Sequence, residues 1–272
     1  MSQPAHAGSL VPWPAGGTLF VVWPSERPGR TLVIGHRGAS ALQPENSLAA
    51  FARATRDGAD GIELDVLCCA TGEVVVFHDD DLGRLGNRPE RIADLPLSAL
   101  REVTLTSGAR IPTLDEVLAA CPAPMLINVE LKTSGYLDRG IGALVDRVAA
   151  LIERTGNQQR VLVSSFHPLA ICAWQRRAPG IPAGLLFEAE AALPLRRAWA
   201  RHWLRPRALH PEASLCTPAR VRRWQARGHQ VNVWTVDDAA MLRALSAMGV
   251  DGIITNDPGR TREILAGRAH GR

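Results

Sequence analysis

The sequence predicts an α/β fold: a TIM (β/α)8 barrel, irregular between its second and third strands and carrying a small insertion. Three observations predict it. Short apolar runs alternate with longer stretches of helical character from Thr31 onward, which indicates a parallel sheet with helices outside it. Polar and charged residues fall at the C-terminal ends of many different apolar runs, as in barrels that build their site from those ends. The chain has 272 residues, 46% of them hydrophobic, which suits one barrel, and no break in composition marks a second domain.

The elements follow in order. Residues 1–30 are rich in Pro and Gly, with a short strand expected at Thr18–Trp23, and read as an N-terminal extension packing on the barrel. Thr31–Ile34 is a buried strand ending in Gly35-His36-Arg37-Gly38. Pro44-Glu45-Asn46-Ser47 opens a helix that runs to about Asp57 and stops at Gly58. Gly61–Val66 is the next strand, and Val74–Phe77 the one after, followed by His78-Asp79-Asp80. Seven residues, 67–73, separate those two strands, too few for a crossover helix, so the barrel is irregular here. Residues 82–113 read as a small excursion with a helical piece near Leu97–Val103. Thr113 and Glu116 then form a capping box for the next helix. Further strands are expected at Met125–Leu131, Val161–Ser165, Ala183–Phe187, Ala208–His210, Val231–Thr235 and Gly252–Thr255. Helices are expected between them near 139–154, 168–177, 190–202, 217–227 and 238–247.

Composition excludes several classes of function. The net charge is +4, from 31 basic and 27 acidic residues, a weak excess that does not call for a polyanionic partner. Nine arginines lie between Arg196 and Arg227; they are expected to solvate outer helices, and neither a phospholipid surface nor nucleic acid is an expected partner, since aromatic stacking platforms are not evident among them. The five cysteines have no metal-ligand spacing and read as small buried hydrophobes in a reducing compartment. The longest apolar run near the start, Leu19 to Trp23, is too short for a signal peptide or a membrane span, so the expected location is the cytoplasm.

The chemistry is written into Gly61-Ile62-Glu63-Leu64-Asp65-Val66. Side chains alternate along a strand, so Glu63 and Asp65 point to one face. Two adjacent carboxylates repel and are costly to desolvate, unless a hard cation lies between them. Asn128-Val129-Glu130-Leu131-Lys132 repeats the alternation, and Glu130 can complete an all-oxygen site suited to Mg2+, Ca2+ or Mn2+. Lys132 beside such a cation calls for an anion between them; read alone, Glu130 and Lys132 are equally an ion pair at a strand end. Only one of the 31 basic residues is a lysine, and it is this one. His36 and His78 each close a buried strand beside a charged residue, where an imidazole can take or deliver a proton near neutrality. Arg37 can grip two phosphate oxygens in a planar fork. Phosphodiester cleavage needs these groups together: cations to neutralise the anion, and acid–base groups for a leaving alkoxide of high pKa. Trp234 ends a strand and either lines the mouth or fills the core. Phe166, His167 and Tyr136 are candidates for the same rim, with loop packing the plainer reading of His167.

This constellation resembles the glycerophosphodiester phosphodiesterase family. The residues that carry the resemblance are Gly35-His36-Arg37-Gly38-Ala39, Pro44-Glu45-Asn46-Ser47, Glu63-Leu64-Asp65-Val66, Val75-Val76-Phe77-His78-Asp79, Glu130-Leu131-Lys132, Val233-Trp234-Thr235-Val236 and Gly249–Thr255. It extends from residue 31 to about 262. The resemblance implies a divalent cation at Glu63, Asp65 and Glu130, acid–base roles for His36 and His78, and phosphate contact from Arg37 and Lys132. Glu45 matches a position near the site, as an orienting residue or an added ligand. It implies hydrolysis of glycerophosphodiesters to glycerol 3-phosphate and an alcohol, through attack of the 2-hydroxyl and a cyclic phosphate. Asp80–Asn87 and Cys68-Cys69 depart from the family pattern and bear on substrate preference. Two other readings compete: a related phosphodiesterase acting on lysophospholipids or other phosphodiesters, and a non-catalytic barrel that binds phosphorylated ligands.

Overall fold

A computed structural model describes residues 30–133 and 140–267. The expected extension over residues 1–30, with its strand at Thr18–Trp23, lies outside the described residues apart from Arg30, and so does Tyr136.

Eight parallel strands close into a ring: β1 (Leu32–Gly35), β2 (Gly61–Cys68), β4 (Leu126–Leu131), β5 (Val161–Ser165), β6 (Ala183–Phe187), β7 (Ala208–Pro211), β8 (Gln230–Val233) and β9 (Gly252–Thr255). Pairing of β1 with both β9 and β2 makes the closure. The remaining strand, β3 (Val74–Val76), folds back antiparallel on the end of β2 outside the ring, with Val66 opposite Val76 and Cys68 opposite Val74. This hairpin is the expected irregularity. Its return brings the chain back level with Asp65, whose carbonyl accepts the Phe77 amide at 3.0 Å, and so delivers His78 to the acidic strand.

The helices in order are α1 (Leu48–Arg56), α2 (Gly83–Gly86), α3 (Leu97–Glu102), α4 (Leu114–Ala120), α5 (Ile141–Arg154), α6 (Pro168–Arg177), α7 (Leu193–Arg196), α8 (Arg201–Leu204), α9 (Pro218–Gln225), α10 (Ala239–Ala247) and α11 (Pro258–Leu265). Ser47 caps α1 by accepting from the Ala50 amide, and Thr113 with Glu116 forms the capping box of α4. The helix expected over 190–202 is two short turns instead. Ala198 adopts a left-handed φ of 47°, which breaks the helix between α7 and α8.

Side-chain alternation sorts the residues into three cores. Outward-facing Ile62, Leu64, Val129, Val163, Leu209 and Val231 pack against the helices. Inward-facing Leu32, Ile34, Leu126, Leu162, Ala208 and Ile254 fill the barrel, with Trp234 against them. Phe77, Leu82, Ile92, Leu100 and Ile111 give the insertion its own small core. Following the inward parity up each strand leads from Ile34 to His36, from Leu126 through Asn128 to Glu130 and Lys132, from Leu162 to Phe166, and from Ile254 to Asn256. The same alternation that fills the barrel therefore lines its C-terminal mouth.

Candidate active site

Register sets the acids side by side. On adjacent strands Asp65 pairs with Glu130 and Glu63 with Asn128. Carboxylate oxygens of Glu63, Asp65 and Glu130 lie within 4.8 Å of one another, and all three residues are buried. Burial, and then the neighbouring acids Asp65 and Glu130, push the Glu63 carboxyl well above its ordinary range. Burial likewise raises Glu130 to about 7, against the pull of Lys132. A buried all-oxygen donor set of this spacing can hold a hard divalent cation, which relieves the repulsion that the acids otherwise bear.

Cationic groups stand on both sides of the acids. Lys132 Nζ is 3.1 Å from Glu130 Oε1 and 3.5 Å from Asp65 Oδ1. The turn after β1 puts Arg37 in a left-handed conformation, φ 52°, an uncommon one for a residue with a side chain. The following Gly38, φ 85°, is required: a Cβ there would sit 2.6 Å from the Ala50 carbonyl carbon. The twisted turn aims the Arg37 amide at Glu63 Oε2, 2.9 Å away, and its guanidinium at Glu45 Oε1, 2.8 Å away. Arg37 Nε lies 3.2 Å from Asp65 Oδ2 but is not aligned for a hydrogen bond, so a buried donor is left over.

Both histidines have orienting partners. His36 Nδ1 lies 2.7 Å from Asn256 Oδ1. The Asn256 amide is itself oriented, because its Nδ2 donates to Asp237 Oδ2 at 2.5 Å and Ser40 Oγ donates to its Oδ1. An oxygen acceptor at Nδ1 places the proton there and leaves Nε2 as the free base. Burial, and then Arg37, lower the His36 pKa below 6.5, with the Asn256 bond opposing, so the ring is neutral at neutral pH. His78 Nδ1 lies 2.6 Å from Asp79 Oδ1. Burial opposes ionisation of Asp79, but hydrogen bonds from Arg84 and His78 outweigh it and hold the carboxyl below its ordinary range.

Arg37, Glu45, Glu63, Asp65, His78, Glu130 and Lys132 are joined by hydrogen bonds and ion pairs, while His36 is tied separately to Asn256 and Trp234 stands apart. Glu45 bonds Arg37 and Arg84 and lies outside the trio of clustered acids. Burial opposes its ionisation, yet the Arg84 and Arg37 bonds lower its pKa to about 2. Trp234 stands across the mouth on the chain after β8, donating Nε1–H to the His210 carbonyl at 2.7 Å and meeting Phe166 edge-on at 5.3 Å. His167 is the N-cap of α6, its ring accepting from the Leu169 amide. Sequence reasoning gave no role to Asn46, Arg84, Asp237 or Asn256. Asn46, in a left-handed conformation, donates to Asp65 Oδ2 at 2.9 Å. Arg84 on α2 joins Asp79 at 2.7 Å to Glu45 at 2.7 Å and so couples the two halves of the network.

A closed parallel barrel with ionisable groups gathered at the C-terminal ends of its strands is the build of a barrel enzyme. Residues 36–260 match the model of the glycerophosphoryl diester phosphodiesterase family, and the chain belongs to that family. As an enzyme it is a phosphoric diester hydrolase. It is 34% identical over 237 residues to a glycerophosphodiester phosphodiesterase of Caldanaerobacter subterraneus, covering 84% of this chain and 95% of the relative. Among solved structures it resembles a putative glycerophosphoryl diester phosphodiesterase from Silicibacter pomeroyi, with TM-score 0.80, 26% identity and coverage of 89% and 95%. It also resembles an Oleispira antarctica phosphodiesterase in complex with the product sn-glycerol-3-phosphate, with TM-score 0.79, 25% identity and coverage of 86% and 96%.

Proposed function

We propose that this chain hydrolyses glycerophosphodiesters to glycerol 3-phosphate and an alcohol in a reaction that depends on a divalent cation, Mg2+, Ca2+ or Mn2+. The observation that carries the reading is the buried acidic trio with Arg37 and Lys132 against it. Cations flanking acids make sense when an anion and a metal ion share the site. Glu63, Asp65 and Glu130 would hold the ion, which supplies positive charge against the phosphate and its developing oxyanion.

The other residues divide the work. Arg37 and Lys132 bind phosphate oxygens, the free Arg37 Nε being one such donor, and Glu45 positions Arg37. His36, neutral and protonated on Nδ1, takes the proton of the glycerol 2-hydroxyl on Nε2 as that oxygen attacks phosphorus. His78, held by Asp79, gives a proton to the departing alcohol oxygen as its bond to phosphorus breaks. Water then opens the cyclic phosphate: His78 takes the water proton and His36 returns its proton to the 2-oxygen. Trp234 packs against the glycerol carbons. The same reading places the enzyme in the cytoplasm; no helix among the described residues is long and apolar enough to cross a membrane.

One observation favours lysophospholipids as further substrates. An apolar pocket of about 250 Å3 opens beside Thr133 and Phe166 and is walled by Leu186, Pro194, Leu195 and Ala198. Such walls suit the acyl chain that a lysophospholipid carries on its glycerol. Metal-loaded enzyme is to be assayed for glycerol 3-phosphate release from glycerophosphocholine, with lysophosphatidylcholine alongside for release of lysophosphatidic acid. Chelator and His36→Asn should each abolish detectable turnover, the latter through a loss of about 10²–10⁴-fold. Absence of turnover on a broad glycerophosphodiester panel by metal-loaded protein refutes the substrate assignment.

A further inference from the structure

The segment carrying α7 and α8 lies between β6 and β7, and its two sides differ. Leu195 and Ala198 face the apolar pocket beside the active-site mouth. On the other side a cleft of about 650 Å3 is bordered by Arg196, Arg197, Arg201 and His202 from this segment and by Arg220 and Arg223 from α9. No acidic side chain lines that cleft. Among the described residues, none of the nine arginines between Arg196 and Arg227 forms an ion pair, although arginines elsewhere in the fold do so repeatedly. Burial and the neighbouring Arg227 and Arg223 lower the Arg201 pKa, and Arg201 does the same to His202. The cluster therefore bears unrelieved like-charge repulsion, which an anionic ligand removes.

Two of the three tryptophans among these arginines, Trp199 and Trp203, lie outside the core, contrary to the expectation that no aromatic platform accompanies the arginines, while Trp224 is buried. Trp199 is 49% exposed, Trp203 69% and Leu193 42%; of the seven large apolar side chains exposed in the described residues, three sit on this one segment. Tryptophan and arginine side by side, with an aliphatic neighbour, match a membrane interface, where rings lodge at headgroup depth and guanidinium groups meet phosphates. A nucleic acid would also satisfy the charge but gives no reason for exposed Leu193 beside the rings.

We propose that residues 193–204, with Arg220 and Arg223, form a docking surface for anionic phospholipid membranes. The surface borders the end of β6, so docking holds the C-terminal mouth of the barrel and the apolar pocket at the lipid. The proposal does not depend on the catalytic reading, since its readout is binding.

The test is sedimentation of the full-length protein with vesicles of phosphatidylcholine alone and of phosphatidylcholine with about one-third phosphatidylglycerol. Partitioning should be at least about tenfold stronger to the anionic vesicles at low salt and should fall as salt rises. Arg197→Glu and Trp203→Ala, both at exposed positions, should each cut that partitioning severalfold, and together abolish it. Circular dichroism serves as the check that each variant folds, and turnover of soluble glycerophosphocholine should be unchanged. Equal affinity for neutral and anionic vesicles, full binding by the double variant, or binding to a single-stranded oligonucleotide with no binding to vesicles overturns the proposal.

Discussion

The two halves of the barrel mouth are built differently. Over β1, β2 and β4 the rim is ionic and tightly cross-linked: Glu45, Arg37, Asp65, Lys132 and Glu130 form a continuous run of ion pairs, joined through Arg84 to Asp79 and His78. Over β5 to β8 it is apolar, with Phe166 edge-on to Trp234 and an aliphatic pocket behind them. A network in which each charged group holds the next tolerates little movement, which suits bond-breaking geometry. An aromatic and aliphatic rim imposes shape without direction and suits the choice of which substrate is seated. On the proposed function, chemistry and selectivity occupy opposite walls of one mouth, so substitutions should separate them.

The largest expected effect is on the ionic wall. Glu63→Gln or Asp65→Asn should lower kcat by more than about 10³-fold and also abolish the binding of Mn2+ measured by calorimetry. Retained turnover with lost metal binding would break the division. Next is Arg84→Ala, outside the acidic trio. It should reduce kcat about tenfold with a smaller change in KM, because Arg84 orients Glu45 and Asp79 and does not meet the substrate. A shift of the pH profile should accompany it, since Asp79 would lose the guanidinium that holds it ionised. A pure KM effect would place Arg84 in substrate binding instead.

A smaller effect belongs to the floor beneath both walls. His210 is fully buried inside the barrel, and burial lowers its pKa to about 3 from 6.5. The unfolded chain therefore binds the proton first. Stability from this group is complete above about pH 6.5 and is lost as pH falls toward 3. In denaturant titrations His210→Gln should flatten the decline of stability between about pH 6 and 4 by close to one proton; an unchanged slope would show that His210 is not the group responsible.

Much of this was readable from the chain. Strands of a parallel barrel are buried on both faces and so appear as short apolar runs, which placed all nine with small errors at their ends. Glu63, Asp65 and Glu130 stood out because acids inside such runs have no packing reason to be there. Orienting residues were harder. Asn46 and Asn256 are ordinary loop residues by composition, and their roles come from loops that meet across the mouth. Arg84 was illegible because its reach to Glu45 depends on how the insertion folds back over β2. Pro194 does not mark the broken helix over 190–202, because proline suits a first turn, and the break lies at Ala198, whose side chain gives no warning. Trp199 lies in the turn after this break and Trp203 on α8; their exposure is a tertiary fact that their hydrophobicity concealed.

The central claim is that one cation and one anion meet where Glu63, Asp65 and Glu130 converge. Anomalous diffraction from crystals grown with Mn2+ tests it most directly. The account predicts a single strong peak within about 2.0–2.3 Å of an oxygen from each of the three acids, with Arg37 and Lys132 on its phosphate side. A peak elsewhere, or three carboxylates paired only with Arg37 and Lys132 at saturating metal, would contradict it.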